Sequence, residues 1–106
     1  MNFQELADNL GLEVDEYREL IELFIDTGSA DFQKIQDGMA GNDSEQVMRS
    51  AHTIKGAAGN LGLMDVSETA KTIEEGATQN QLDGLVTAME TLKAQFKAIE
   101  TFVASA

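Results

Sequence analysis

The residues best suited to chemistry lie between Ala51 and Gly62, in the segment Ala-His-Thr-Ile-Lys-Gly-Ala-Ala-Gly-Asn-Leu-Gly. His52 is the single histidine of the chain, and Lys55 follows it three residues later. Imidazole is nucleophilic at neutral pH and can carry a phosphoryl group on a ring nitrogen. A lysine one helical turn away can donate to the phosphoryl oxygens and neutralise their charge. This spacing therefore suits a histidine that accepts and passes on a phosphoryl group.

An α-helical projection divides this part of the chain into two faces. One face carries the candidate site residues, which are Met48, Arg49, His52, Lys55, Gly56 and Gly59. The opposite face is apolar, as expected of a side that meets a core, and contains Val47, Ile54, Ala58 and Leu61. His52 should therefore point to water, which is unusual for a purely structural histidine.

The two glycines on the histidine face, Gly56 and Gly59, each cost a helix about 1 kcal/mol relative to alanine. Packing cannot justify them on an exposed face, but clearance can, because another protein could then approach the ring closely. Each residue alone has an ordinary explanation: a surface histidine, a chance lysine, glycines at a close helix contact, or a stray exposed Met48. The combination, with the histidine opposite the core stripe, favours function.

The composition excludes several classes of protein. The net charge of −12 makes nucleic acid and anionic membranes poor partners. The absence of cysteine, with one histidine, makes a conventional transition-metal site unfavourable and suits a reducing compartment. Without a signal peptide or a long apolar run, we expect a cytoplasmic protein. Acidic residues are absent between Gln46 and Met64, which indicates a neutral-to-basic island that favours an acidic or phosphorylated partner.

The pattern along the chain is helical almost throughout, with no proline and no convincing alternation of strand type. We expect a short helix capped by Asn2, a long helix from about Val14 that continues through Gly28, and a turn at Gly41-Asn42-Asp43, with Asp43 or Ser44 as the cap of the next helix. The remaining predicted helices are 44–60, ended by Gly62, then one capped by Asp65 with Glu68 and running to about 77, and a last one using Leu85 to Val103. Short turns make consecutive helices antiparallel. The prediction is an all-α, antiparallel up-down four-helix bundle with a short additional N-terminal helix, forming one domain over residues 1–106.

The segment His-Thr-Ile-Lys-Gly-Ala-Ala-Gly-Asn-Leu-Gly, preceded by Ala51, resembles the signature of histidine-containing phosphotransfer (HPt) domains. That signature is Ala-His-x-(Leu/Ile)-Lys-Gly, followed by small residues, an apolar residue and Gly. Ile73-Glu74 further along also resembles the apolar-Glu step common in the helix after the motif. The resemblance, with its five-helix layout, covers the whole chain.

The resemblance implies a phosphorelay intermediate. His52 would accept a phosphoryl group, on Nε2, from the aspartyl phosphate of one receiver domain and pass it to another. Lys55 would stabilise the phosphoryl group, while Met48, Arg49, Gly56 and Gly59 would dock the partner. We expect no cofactor on this chain, because Mg²⁺ would belong to the receiver domains of response regulators and hybrid kinases. No segment resembles a nucleotide-binding loop, so we expect a monomeric phosphocarrier without kinase activity.

Two other interpretations remain open. The first is the phosphoacceptor domain of a chemotaxis-type histidine kinase, phosphorylated by an ATP-binding domain; the chain ends at Ala106 with no kinase region, which favours a free-standing carrier or an excised domain. The second is an acidic helical adaptor in which His52 is incidental. An ordinary enzyme is the least favoured class, since no paired carboxylates or nucleophile–base set is evident.

Overall fold

The computed structural model describes residues 2–105, so the predicted domain limits at residues 1 and 106 lie outside the described part. Within it the chain forms helices and no strand. They are α1 (Phe3–Asn9), α2 (Val14–Ala40), α3 (Ser44–Asn60), α4 (Met64–Thr78), a 3₁₀ helix (Leu82–Leu85) and α5 (Val86–Ser105).

The helices form the predicted bundle. Each of α2, α3 and α4 packs against the next helix, α5 returns to α2, and α1 lies on α2. The 27-residue α2 sets the long dimension of the 41 × 22 × 19 Å molecule, since such a helix is about 40 Å long. Over residues 2–105, no helix combines the length and apolarity that a bilayer-crossing segment needs.

Most predicted helix ends are confirmed by their hydrogen bonds. The Asn2 side chain accepts from the Glu5 backbone N–H at 3.1 Å, and Asp43 accepts from that of Gln46 at 3.1 Å. Gly62 adopts a φ of 78° just after α3, a conformation that glycine reaches without strain. The predicted caps and the left-handed exit from α3 therefore stand.

The predicted uninterrupted α2 is also confirmed, and Gly28 within it has a packing role. A Cβ atom added to Gly28 would lie 3.0 Å from Cζ of Phe96 on α5. The residue is thus small because α5 crosses α2 closely at this point, and the helix continues through it.

The predicted start of α4 was wrong. Asp65 does not cap this helix; the N-cap position is Leu63, which makes no side-chain cap hydrogen bond, and the helix begins at Met64. The reason is that the Leu63 side chain is buried and its N–H donates to the Ala58 carbonyl oxygen at 2.9 Å, so the turn is too short for a polar cap at Asp65. The sequence pattern does not predict the 3₁₀ helix, which includes Leu85, a residue assigned to the predicted fifth helix.

Three contacts fix the rotation of α3 in the bundle. Its stripe Val47, Ala51, Ile54 and Ala58 is buried in the common core. The Tyr17 hydroxyl of α2 donates to the Leu61 carbonyl oxygen at 2.5 Å, and the Ser67 hydroxyl of α4 donates to that of Lys55 at 3.0 Å. These contacts hold the inner stripe and the two sides of α3. The outer face of the helix, which carries His52, therefore faces solvent.

Candidate functional site

His52 projects from the middle of α3 into solvent, with 66% of its side chain exposed. Its neighbours Ala51 and Ile54 lie on the opposite face of the helix and belong to the core. The sequence-based expectation that the histidine points away from the packed face is therefore confirmed. An exposed ring of this kind is accessible to a second protein.

Glu74 of α4 links His52 to Lys55. Its Oε2 atom lies 2.5 Å from Nδ1 of His52, and its Oε1 atom lies 2.6 Å from Nζ of Lys55. The Glu74 side chain is 18% exposed and that of Lys55 30%, so the two form a partly buried ion pair beneath the exposed ring. One carboxylate therefore orients both residues of the predicted chemistry.

This contact selects the tautomer of the neutral imidazole. A carboxylate accepts hydrogen bonds, so Nδ1 carries the ring proton and donates it to Glu74. Nε2 then bears the free lone pair, at the solvent end of the ring. This is the nitrogen that an incoming electrophile can reach.

The surroundings of Glu74 favour its ionised form. Its burial favours the neutral acid, but the hydrogen bonds and positive charges of Lys55 and His52 outweigh this effect, and the pKa of Glu74 lies below its usual 4.5. At neutral pH Glu74 is therefore a carboxylate that can accept a hydrogen bond from Nδ1.

A shallow groove of about 370 Å³ borders the ring and is lined by Met48, Arg49, His52, Thr53 and Glu74. Met48 is half-buried and packs against the core, so it is not a stray exposed residue. Arg49 is exposed and forms an ion pair with Glu45, one turn earlier. The structure therefore places both predicted docking residues beside His52.

Gly56 and Gly59 are both exposed, as the helical projection predicts. A Cβ atom on Gly56 would meet nothing within 4 Å, and one on Gly59 would make an ordinary 3.5 Å contact with the Ser67 hydroxyl. Neither glycine is therefore required by helix packing. Clearance for a partner remains the explanation that fits both.

The family model of the Hpt domain matches residues 19–102, which is most of the chain. The chain belongs to the Hpt domain family. It is accordingly a histidine phosphotransfer protein of two-component signalling.

A solved structure supports the fold of this Hpt domain. The histidine-containing phosphotransfer protein B (HptB) of Pseudomonas aeruginosa PAO1 superposes with a TM-score of 0.85 at 20% sequence identity, covering 99% of this chain and 91% of that one. At this identity the similarity establishes the shared helical bundle. No curated protein sequence matches the chain.

The charge around the site of this Hpt domain differs from the sequence-based expectation. The basic island predicted from residues 46–64 exists along the chain, but Glu74 from α4 pairs with Lys55, and Glu45 pairs with Arg49. Each cation near His52 thus has a carboxylate partner. An anion that arrived here would compete with Glu74 for Lys55.

Sequence reasoning did not assign Glu74 to the site, although the Ile73-Glu74 step was noted as part of the resemblance. The helical pattern gives part of the signal: Ile73 lies on the apolar stripe of α4 and is buried, so Glu74 beside it lies at one of the two edges of that stripe. The packing of α4 on α3 decides which of these edges faces His52, and the sequence does not predict that packing.

Proposed function

We propose that His52 is the phosphoacceptor of this Hpt domain, receiving the phosphoryl group on Nε2 from the aspartyl phosphate of one receiver domain and passing it to the aspartate of another. The observation that carries the assignment is the exposed ring whose Nδ1 is bound by Glu74, which leaves Nε2 as the nucleophile. In the transfer, the Nε2 lone pair forms the N–P bond while the P–O bond breaks and its electron pair returns to the aspartate oxygen.

Lys55 would stabilise the phosphoryl group during transfer. Its ammonium lies within reach of the Glu74 carboxylate, which is itself bound to the ring, so a small side-chain movement brings it towards the equatorial oxygens on Nε2. Charge-assisted hydrogen bonds of this kind are shorter and stronger than neutral ones.

The receiver domain would dock over the groove beside His52 and along the glycine face of α3. Met48 and Arg49 line the groove, and Gly56 and Gly59 leave the approach to the ring unobstructed. Mg²⁺ and the acidic pocket that aligns the phosphorus would be supplied by the receiver. We further propose that the chain works as a cytoplasmic monomer and a single phosphotransfer domain, without kinase activity.

The test is phosphoryl transfer from a panel of labelled phospho-receivers to the wild-type protein beside His52→Gln. The proposal expects acid-labile, base-stable label on the wild type and none on the variant, with equal helicity by circular dichroism. Label on His52→Gln would contradict the assignment. Phosphorylation by an ATP-dependent kinase domain, with none from any receiver, would favour the chemotaxis-type acceptor.

A further inference from the structure

The Glu74 contact has a consequence for the phosphorylated ring as well as for the free one. Attack by the neutral ring through Nε2 leaves the proton on Nδ1, so the product is an imidazolium that carries the phosphoryl group. In water such a ring loses its Nδ1 proton as the pH rises. The loss matters, because a protonated ring is the better leaving group when the next aspartate attacks the phosphorus.

We propose that Glu74 acts as a positioning residue that keeps the Nδ1 proton on phosphorylated His52, so that the phosphoryl group enters and leaves without proton exchange with solvent. This inference rests on the proposed function of His52. On the outward step, the aspartate oxygen attacks phosphorus, the N–P electron pair returns to Nε2, and the ring is again neutral with its proton on Nδ1. The cycle therefore closes with Glu74 ionised throughout.

The charges around the ring make Glu74 the group on which this retention depends. From α3, Lys55 and Arg49 face the site, and both are cations that disfavour a positive ring, although Arg49 is paired with Glu45. From α4, Glu74 contributes the carboxylate, 2.5 Å from Nδ1. An opposite charge at this distance favours the charged form of its partner, and a nearby like charge disfavours it.

Glu74 and Lys55 should therefore have opposite effects on the pH at which the phosphorylated ring loses its Nδ1 proton. Removing Glu74 should lower the pH at which the phosphorylated ring loses its Nδ1 proton. Removing Lys55 should raise this pH, because the competing cation is lost and the Glu74 carboxylate is no longer shared. A merely structural role for the Glu74–Lys55 pair would not give opposite signs.

A variant of Glu75, the acidic residue next to Glu74, serves as the matched control. Glu75 is exposed and pairs with Lys71 at 3.9 Å on its own helix. Glu75→Gln removes the same charge from the protein and from α4 without touching the ring. Any effect of net charge or of α4 stability should appear in this variant too.

The experiment uses the full chain labelled with ¹⁵N-histidine and phosphorylated with phosphoramidate. Because the sequence has a single histidine, the ¹⁵N spectrum reports His52 alone. The pH midpoint of the Nδ1 signal is compared for the wild type, Glu74→Ala, Glu74→Gln, Glu75→Gln and Lys55→Ala. Rates of transfer to a receiver are measured over the same pH range.

The proposal expects the midpoint of Glu74→Ala to fall by about one pH unit or more, with Glu74→Gln shifted in the same direction, since the amide lacks the charge. Glu75→Gln should match the wild type, and Lys55→Ala should move upward. Transfer from Glu74→Ala should decline at a lower pH than transfer from the wild type.

Equal midpoints in the wild type and both Glu74 variants would overturn the inference while leaving His52 as phosphoacceptor. A wild-type protein that phosphoramidate and receivers both fail to phosphorylate on His52 would instead overturn the proposed function. The two failures are thus distinguished within one set of samples.

Discussion

The Lys55 ammonium lies 2.6 Å from Oε1 of Glu74, and this ion pair joins α3 to α4 directly beneath His52. The sequence predicts Lys55 as a cation that donates to the phosphoryl oxygens on His52, and it predicts no partner for Lys55 in the free protein. The structure shows instead a cation already held by a carboxylate that also holds the ring. Phosphorylation of His52 would therefore rearrange a pair that is present beforehand.

Lys55→Ala should slow phosphoryl transfer to His52 by about 10- to 100-fold, because a charge-assisted hydrogen bond to the phosphoryl oxygens is worth about 1.5–3 kcal/mol. The fold should persist, since the lost ion pair is partly solvated and contributes only about 1 kcal/mol. Single-turnover transfer from a phospho-receiver, with circular dichroism as the folding control, measures both. An unchanged rate would remove Lys55 from the mechanism.

Gly59→Glu should leave the fold intact but weaken receiver docking through bulk and charge. A Cβ at this position makes only an ordinary contact with Ser67, so the longer side chain can extend into solvent on the docking face. The dissociation constant for a receiver, measured by titration calorimetry, should rise while the thermal midpoint changes little. Wild-type affinity in this variant would contradict the clearance explanation for the glycine.

Gly38→Ala and Gly56→Ala should change stability in opposite directions. At Gly38 a Cβ would lie 2.9 Å from Cγ2 of Val47 and 3.1 Å from the Asp43 carbonyl oxygen, so alanine there overpacks the α2–α3 contact and should cost about 1–3 kcal/mol. At Gly56 it meets open space and should stabilise α3 by about 0.5–1 kcal/mol. Urea unfolding of both variants checks the pair, and destabilisation by Gly56→Ala would indicate packing that the structure lacks.

The sequence predicts most of the fold because helical periodicity and caps are local signals. The bounds of α3, its exit through Gly62 and a cap at Asp43 or Ser44 follow from residues close together in the chain, and the structure selects Asp43 as the cap. The start of α4 does not, because the buried Leu63 side chain and its bond to Ala58 depend on packing between helices. The 3₁₀ helix before α5 was missed since its two buried leucines, Leu82 and Leu85, continue the apolar pattern of the helix that follows.

The candidate site divides in the same way. His52, Lys55, Gly56 and Gly59 share one helix, so their common exposed face could be predicted from spacing alone. Glu74 lies on another helix, 22 residues away from His52, and its contact with the ring is set by how α4 packs on α3. The charge of the site was misjudged for this reason, since a segment without acidic residues can still receive a carboxylate from its neighbour.

Tyr17→Phe should alter stability most visibly in alkali. Burial raises the pKa of Tyr17 from 10.0 to about 12, so the unfolded chain releases this proton at lower pH than the folded protein does. The stability associated with the neutral hydroxyl is complete below pH 10 and is lost as the pH rises from 10 to about 12. At neutral pH the variant should be about 1 kcal/mol less stable, because it lacks the hydrogen bond to the Leu61 carbonyl oxygen. Its free energy of unfolding should also decline less steeply over that pH window. Unfolding curves of both proteins with the same alkaline slope would contradict this account.

The most direct test of the account is relay between two receivers in one reaction. A labelled phospho-receiver is mixed with a second, unphosphorylated receiver, and either the wild-type protein or His52→Gln is added in catalytic amount. Label should reach the second receiver only with the wild type, passing through an acid-labile species on this protein. Equal transfer with His52→Gln, or label that stops on the wild type and never reaches a receiver, would contradict it.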